Sequence, residues 1–301
     1  MEIGNLRDAT HAGTWYNGDP KGLAAELGKY FSSSEKLSNS NNLKSIIVPH
    51  AGYRYSGPTA AKAFININPD NYNRVVVIGP SHHEYFHGCG LSPFEGFQTP
   101  FGSIKIDLEI NKKLLQSSKD HFFTLEKEVD EEEHSIEMEI PFIKMLFDKK
   151  DFSIVPIMVG SNTNFDAHKE IADVLYDLYE DKQTLFVISS DFCHWGKRFA
   201  YTYYDNKYDE IWKSTESLDK MALEHISKLD PTGLNDYFKK YKNTICGRHP
   251  ISIVLCMIEQ YKKKYQNKKI TFDCAGYSQS SHVMDMNDSS VSYAAGVNFI
   301  E

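Results

Sequence analysis

Four short stretches of this chain are apolar at every position instead of every second one: Ile46-Ile47-Val48, Val75-Val76-Val77-Ile78, residues 154–159, and Leu185-Phe186-Val187-Ile188. A strand with one wet face alternates apolar and polar side chains, so an unbroken run needs cover on both faces. Between and after the runs, apolar residues recur at three- and four-residue intervals, the pattern of helices with one buried face. Helices are expected over 164–180, 205–228, 231–241 and 250–265. Another starts at Asp19-Pro20, an N-cap and first helical residue, with Leu23, Leu27, Tyr30 and Phe31 following at helical spacing. Strands separated by helices predict an α/β fold with a largely parallel sheet. Residues 291–300 read as a further strand, placed on an edge. The Ser- and Asn-rich stretch 32–42 reads as a surface loop. Neither a repeat nor a linker divides the chain, and residues 1–301 read as one domain.

Charge narrows the partners. With 33 basic against 41 acidic residues the net charge is −8, which argues against nucleic acid or an anionic membrane surface as the main partner. No window holds the ~18 apolar residues of a membrane span. Glu2, Arg7 and Asp8 make the N-terminus unlike a signal peptide. Five cysteines, none in C-x-x-C spacing, read as reduced thiols of a cytoplasmic protein, any of which could serve as ligand or nucleophile.

Ligand sites of open α/β sheets lie beyond the carboxyl ends of the strands. There the sequence places Pro49-His50-Ala51-Gly52-Tyr53, Gly79-Pro80-Ser81-His82-His83 and Ser189-Ser190-Asp191-Phe192-Cys193-His194. One histidine after a strand is usually an ordinary hydrogen-bonding group. Three strand ends each delivering one point to a shared metal or catalytic site, because a rigid strand end holds an imidazole in place. His83 and His87 sit further into a loop and read as solvated. Cys246 precedes a helix start and lies near Arg248, both of which favour a thiolate; the bland alternative is a small buried hydrophobe. The run Asp130-Glu131-Glu132-Glu133, followed by His134 and Glu137, reads as a solvated helix start, with His134 at most a pocket wall. Neither a G-x-S-x-G elbow nor a Walker A loop occurs. Ser190, Asp191 and His194 are too close in sequence to form a triad, which argues against a serine hydrolase.

These motifs, with His11-Ala12-Gly13-Thr14-Trp15-Tyr16, the 130–138 segment, 243–250 and 288–296, resemble the Memo family across nearly the whole chain and in the same order. Memo is the mediator of receptor-tyrosine-kinase-driven cell motility. Its fold in turn resembles the class III extradiol dioxygenases, non-haem iron enzymes. The resemblance implies a single three-layer α/β domain with a largely parallel central sheet. It implies metal ligands at His50, His82 and Cys246, an acid–base histidine at His194 with Asp191 beside it, and a pocket lined by Trp15, Tyr53 and Arg198. All match the Memo pattern. Against the dioxygenases there is one departure, a cysteine in place of the carboxylate of their two-histidine, one-carboxylate triad. A thiolate keeps the ligand charge but is softer, favouring Fe(II), Cu(I) or Zn(II) over harder ions. It is also open to oxidation beside O2, so catechol ring cleavage does not follow from the likeness.

Three functions compete on this reading. The first is an iron or copper redox protein that activates or reduces O2. The second is a non-catalytic signalling adaptor in cell motility that binds phosphotyrosine-type peptides in the same pocket. The third is a zinc hydrolase with a His2Cys site.

Overall fold

The computed structural model describes residues 4–37, 42–118 and 120–301. The four apolar runs are its central strands, in the spatial order Leu43–Val48, Thr184–Ser189, Arg74–Pro80, Ser153–Val159, and each neighbouring pair is parallel. Alternate side chains leave on opposite faces, and each face meets its own cluster. Ile47, Val76, Ile78 and Ile188 pack with the helices Phe165–Glu180, Ile211–Ser227, Pro231–Tyr241 and Arg248–Lys264. Ile46, Val48, Val75 and Val187 pack with Pro20–Ser32, Tyr53–Phe64 and Ile140–Leu146. Both faces are dry, so no position in the runs tolerates a polar residue without losing the ~1.5–3 kcal/mol of a buried aliphatic side chain. The result is the expected three-layer α/β arrangement.

Several boundaries differ from the sequence reading, each for a local reason. The strand Ser290–Ile300 is not an edge: it lies antiparallel to both Leu43–Val48 and Ile270–Gln279. The latter strand escapes sequence reading because only Phe272 of its ten residues is buried. Helix Tyr53–Phe64 is disguised by Gly57 and Pro58 in its interior. Gly57 is needed there, since a Cβ would stand 2.5 Å from the Tyr30 ring of the helix packed against it. The helix expected from 205 begins at Ile211. The one expected from Pro250 opens at Arg248, leaving Pro250 in the first turn, where a missing N–H costs nothing. Asp19 caps Pro20–Ser32 as expected, accepting the Gly22 N–H at 2.7 Å. Of the stretch 32–42, residues 38–41 lie outside the described residues. Among the described residues no helix is long and apolar enough to cross a membrane.

Candidate metal centre

Three of the parallel strands end at one rim. His50 follows Leu43–Val48 by two residues, His82 follows Arg74–Pro80 by two, and Asp191 and His194 follow Thr184–Ser189. Each of the three histidines is fixed from behind through Nδ1. His50 Nδ1 lies 2.6 Å from the Ser189 hydroxyl, itself 2.6 Å from the Ser135 carbonyl and 2.9 Å from Glu139 Oε1. His82 Nδ1 lies 2.9 Å from Glu133 Oε1, whose other oxygen accepts the His82 backbone N–H at 2.6 Å. His194 Nδ1 lies 3.2 Å from the Thr244 carbonyl. A carbonyl or carboxylate only accepts, and the Ser189 proton is directed at such acceptors, so all three Nδ1 atoms carry the hydrogen and Nε2 is left for the site. Imidazoles that ligate metals are oriented in this way.

Cys246 arrives from the other direction, on the turn before helix Arg248–Lys264. Gly247 lets that turn lie directly on the strand end: a Cβ there would stand 2.3 Å from Ser190 Cβ, and the Gly247 N–H donates to Ser190 Oγ at 3.0 Å. The sulfur is 3.2 Å from His50 Nε2 and 3.5 Å from the Asp191 carbonyl. Two ligands bound at about 2.0–2.3 Å to one tetrahedral ion stand roughly 3.5 Å apart, so the His50–Cys246 spacing fits a shared metal. The chemistry of the set, imidazoles and one thiol with every rear nitrogen occupied, fits it too.

The structure adds a histidine that sequence reading had set aside. Donor atoms of His50, His82 and His134 all lie within 4.8 Å of one another, a compact group that does not include Cys246. The His134 ring stacks on His82 with centroids 4.5 Å apart. A more exposed grouping joins His83, Glu133 and His134. The third ligand can therefore come from Cys246 or from His134. Spacing gave no warning, because His134 lies between helix Lys127–Glu132 and the turn Glu137–Glu139, not on a helix face with Glu137.

The acidic segment is not a solvated helix start. Asp130, Glu133, Glu137 and Glu139 are all buried. Arg7, 1% exposed, explains much of this: Nη1 donates to Glu137 Oε2 at 2.6 Å, and its other nitrogens donate to the carbonyls of Asp130 and Glu133. Glu137 also accepts from the Tyr16 hydroxyl and the His11 N–H. The segment so clamped presents Glu133 to His82 and Glu139 to Ser189.

Electrostatics divide the site into groups that hold protons and groups that release them. Burial alone would lower the pKa of His82, but hydrogen bonds to Cys246 and Glu133 outweigh it and hold His82 up to about 10. Burial likewise opposes ionisation of Glu133, yet the His82 hydrogen bond brings it down to about 2. Burial, reinforced by neighbouring histidine charge, pushes His50 well below its ordinary value and His134 to about 3. His194 is lowered to about 4 by burial. Burial raises Asp191 to about 7 although it accepts the His50 and Ala51 N–H groups, and its Oδ2 is 4.0 Å from His194 Nε2. Burial also pushes the Glu139 carboxyl well above its ordinary value, against the hydrogen bond from Ser189.

The expected pocket residues part company. His82, His194 and Cys246 line a cavity of about 370 Å3. Trp15 and Arg198 line a separate groove of about 690 Å3 with Arg54 and Tyr55, and the two share no lining residue. Trp15 links them by lying 4.5 Å from the His134 ring. Tyr53 lines neither: it is 2% exposed, stacked on Tyr16, with its hydroxyl donating to the Met138 carbonyl, so it braces the wall from behind.

The chain is similar to known proteins over nearly its whole length. The family described as Memo-like protein matches residues 7–297. Protein MEMO1 of Danio rerio is 41% identical over 292 residues, covering 96% of each chain, and Protein MEMO1 of Homo sapiens is 40% identical over the same span and coverage. The protein memo-1 homolog of Caenorhabditis elegans is 39% identical over 297 residues, 98% of this chain and 83% of that one. Among solved structures, uncharacterized protein JW3007 from Escherichia coli K12 superposes with a TM-score of 0.53 at 12% identity, covering 85% of this chain and 99% of that one. This last likeness is one of fold.

Proposed function

Because this chain belongs to the Memo family, we propose that it holds one Fe(II) or Cu(I) ion on His50, His82 and Cys246 and works as a redox protein on O2. The observation that carries this is His50 Nε2 standing 3.2 Å from the Cys246 sulfur, with His82 lining the same cavity as that sulfur and both imidazoles fixed through Nδ1. Zn(II) suits the same donors, but iron and copper alone would supply one-electron exchange with O2. The remaining groups manage protons. His194, with Nδ1–H committed to Thr244, offers a bare Nε2 as base, and Asp191 close by titrates near neutrality. Glu139 and Ser189 hold the His50 ring in register. Such chemistry belongs in the reducing cytoplasm, and all five cysteines are free thiols.

The test begins with metal analysis of protein purified without oxygen, then O2 uptake with a reductant. His194→Asn is expected to leave metal affinity within a few-fold and to slow uptake by roughly 10²-fold, the usual contribution of a positioned proton donor or acceptor. Unchanged uptake removes His194 from the mechanism. No uptake by the parent with either metal removes the redox reading.

A second reading has its own observation. The groove with Trp15, Arg54, Tyr55 and Arg198 has two arginines and no carboxylate among its described lining residues, which suits the phosphate and ring of a phosphotyrosine-type signalling peptide. Replacing Arg54 and Arg198 together by alanine is expected to weaken such a peptide at least about tenfold with metal content unchanged. Equal peptide binding by parent and double variant, read by fluorescence anisotropy, counts against it.

A further inference from the structure

We infer that Arg248 is the anchor for a carboxylate on the organic substrate of the metal cavity, so that the substrate class is a small aromatic or planar organic acid. Arg248 opens helix Arg248–Lys264 and borders the cavity that holds His82, His194 and Cys246. Its guanidinium is permanently charged and partly buried, and no hydrogen bond or ion pair to it occurs among the described residues. Arginines withdrawn from water in this chain otherwise find carboxylates: Arg7 has Glu137 and Arg74 has Asp107 and Asp181. On a chain of net charge −8, the cavity lining holds no aspartate or glutamate among its described residues. The cavity therefore offers Arg248 no carboxylate partner of its own.

The rest of the lining fits the remainder of such a molecule. Phe199, whose ring meets His194 edge-on at 5.1 Å, offers a flat apolar surface, and Ser161 a hydroxyl. About 370 Å3 has room for a substituted ring. The guanidinium fork matches a carboxylate bidentately, which would orient the ring with its far edge toward the candidate metal ligands.

This inference rests on the reading of the cavity as the working site, and its test does not depend on turnover. Benzoate and its neutral counterpart benzamide are titrated by calorimetry into the parent, metal-free and zinc-loaded, with metal content measured on the same samples. The parent is expected to prefer benzoate about tenfold or more, the worth of one charge-assisted pair. Arg248→Met should abolish that preference at an unchanged melting temperature, and Arg248→Lys should keep part of it. The Arg54→Ala, Arg198→Ala double variant should keep it in full. A parent that binds both compounds equally, or neither, overturns the proposal. So does a preference that survives Arg248→Met or disappears with the Arg54 and Arg198 changes. Should Arg248→Met fail to fold, the parent comparison and Arg248→Lys still decide. Failure to bind metal with the benzoate preference intact would sink the redox reading and leave this one standing.

Discussion

Cys246→Ser lowers affinity for Fe(II) or Cu(I) at least about 100-fold, measured by competition with a chelator, while the metal-free protein loses less than ~2 kcal/mol of stability. The affinity falls because the serine hydroxyl stays protonated at neutral pH and is a harder donor than thiolate. The stability holds because Cys246 is partly exposed at the cavity edge and stands outside both buried clusters. His134→Ala is the necessary companion. If the serine variant keeps its affinity and the His134 variant loses it, the ion sits on the three histidines instead, the more compact grouping in the structure. A larger loss of apo stability on Cys246→Ser would make the residue a packing element.

Arg7→Ala destabilises the protein by about 3–5 kcal/mol, the cost of leaving a buried carboxylate without its partner. Arg7 and Glu137 are each 1% exposed, so little solvent is at hand to take over. The pH dependence follows from Glu137. Burial opposes its ionisation, but hydrogen bonds from His11 and Arg7 bring it from 4.5 down to about 2. A depressed carboxylate pKa stabilises the fold fully above 4.5, and that contribution, about 3 kcal/mol, drains away as pH falls towards 2. Urea unfolding should therefore show the full gap between parent and variant at pH 7 and a narrowing gap below pH 4.5, with acid unfolding of the variant moved to higher pH. A variant within 1 kcal/mol of the parent at pH 7 would mean that water or another cation replaces the guanidinium.

What sequence revealed and what it hid separate along a physical line. The doubly buried strands were legible because burial on both faces leaves no polar position, and His50, His82 and His194 followed from where those strands end. The role of the 130–139 segment was hidden because six acidic residues in so short a span look solvated until the partners of the four buried ones are known. Those partners, Arg7, His82 and Ser189, lie some fifty to one hundred and thirty residues away in sequence. The strand Ile270–Gln279 was hidden because it is mostly half-exposed, and its presence moves Ser290–Ile300 from the edge to the interior. Tyr53 was placed in the pocket by family likeness, which carries position in sequence but not the direction in which a ring points.

The interior placement of Ser290–Ile300 also orders events in time. Leu43 pairs with Phe299 and Ile47 with Gly296, so one flank of the sheet joins residues about 250 positions apart. A chain emerging from the ribosome exposes the Leu43–Val48 strand long before the segment that covers its open side exists. An uncovered apolar strand is a template for pairing with other chains, and contacts of such long range close slowly. The candidate metal rim is built from the same distant pieces, since Asp191 and Cys246 must both reach His50. If the proposed ion binds there, it can be held only after these distant pieces have met, late in the folding of each molecule.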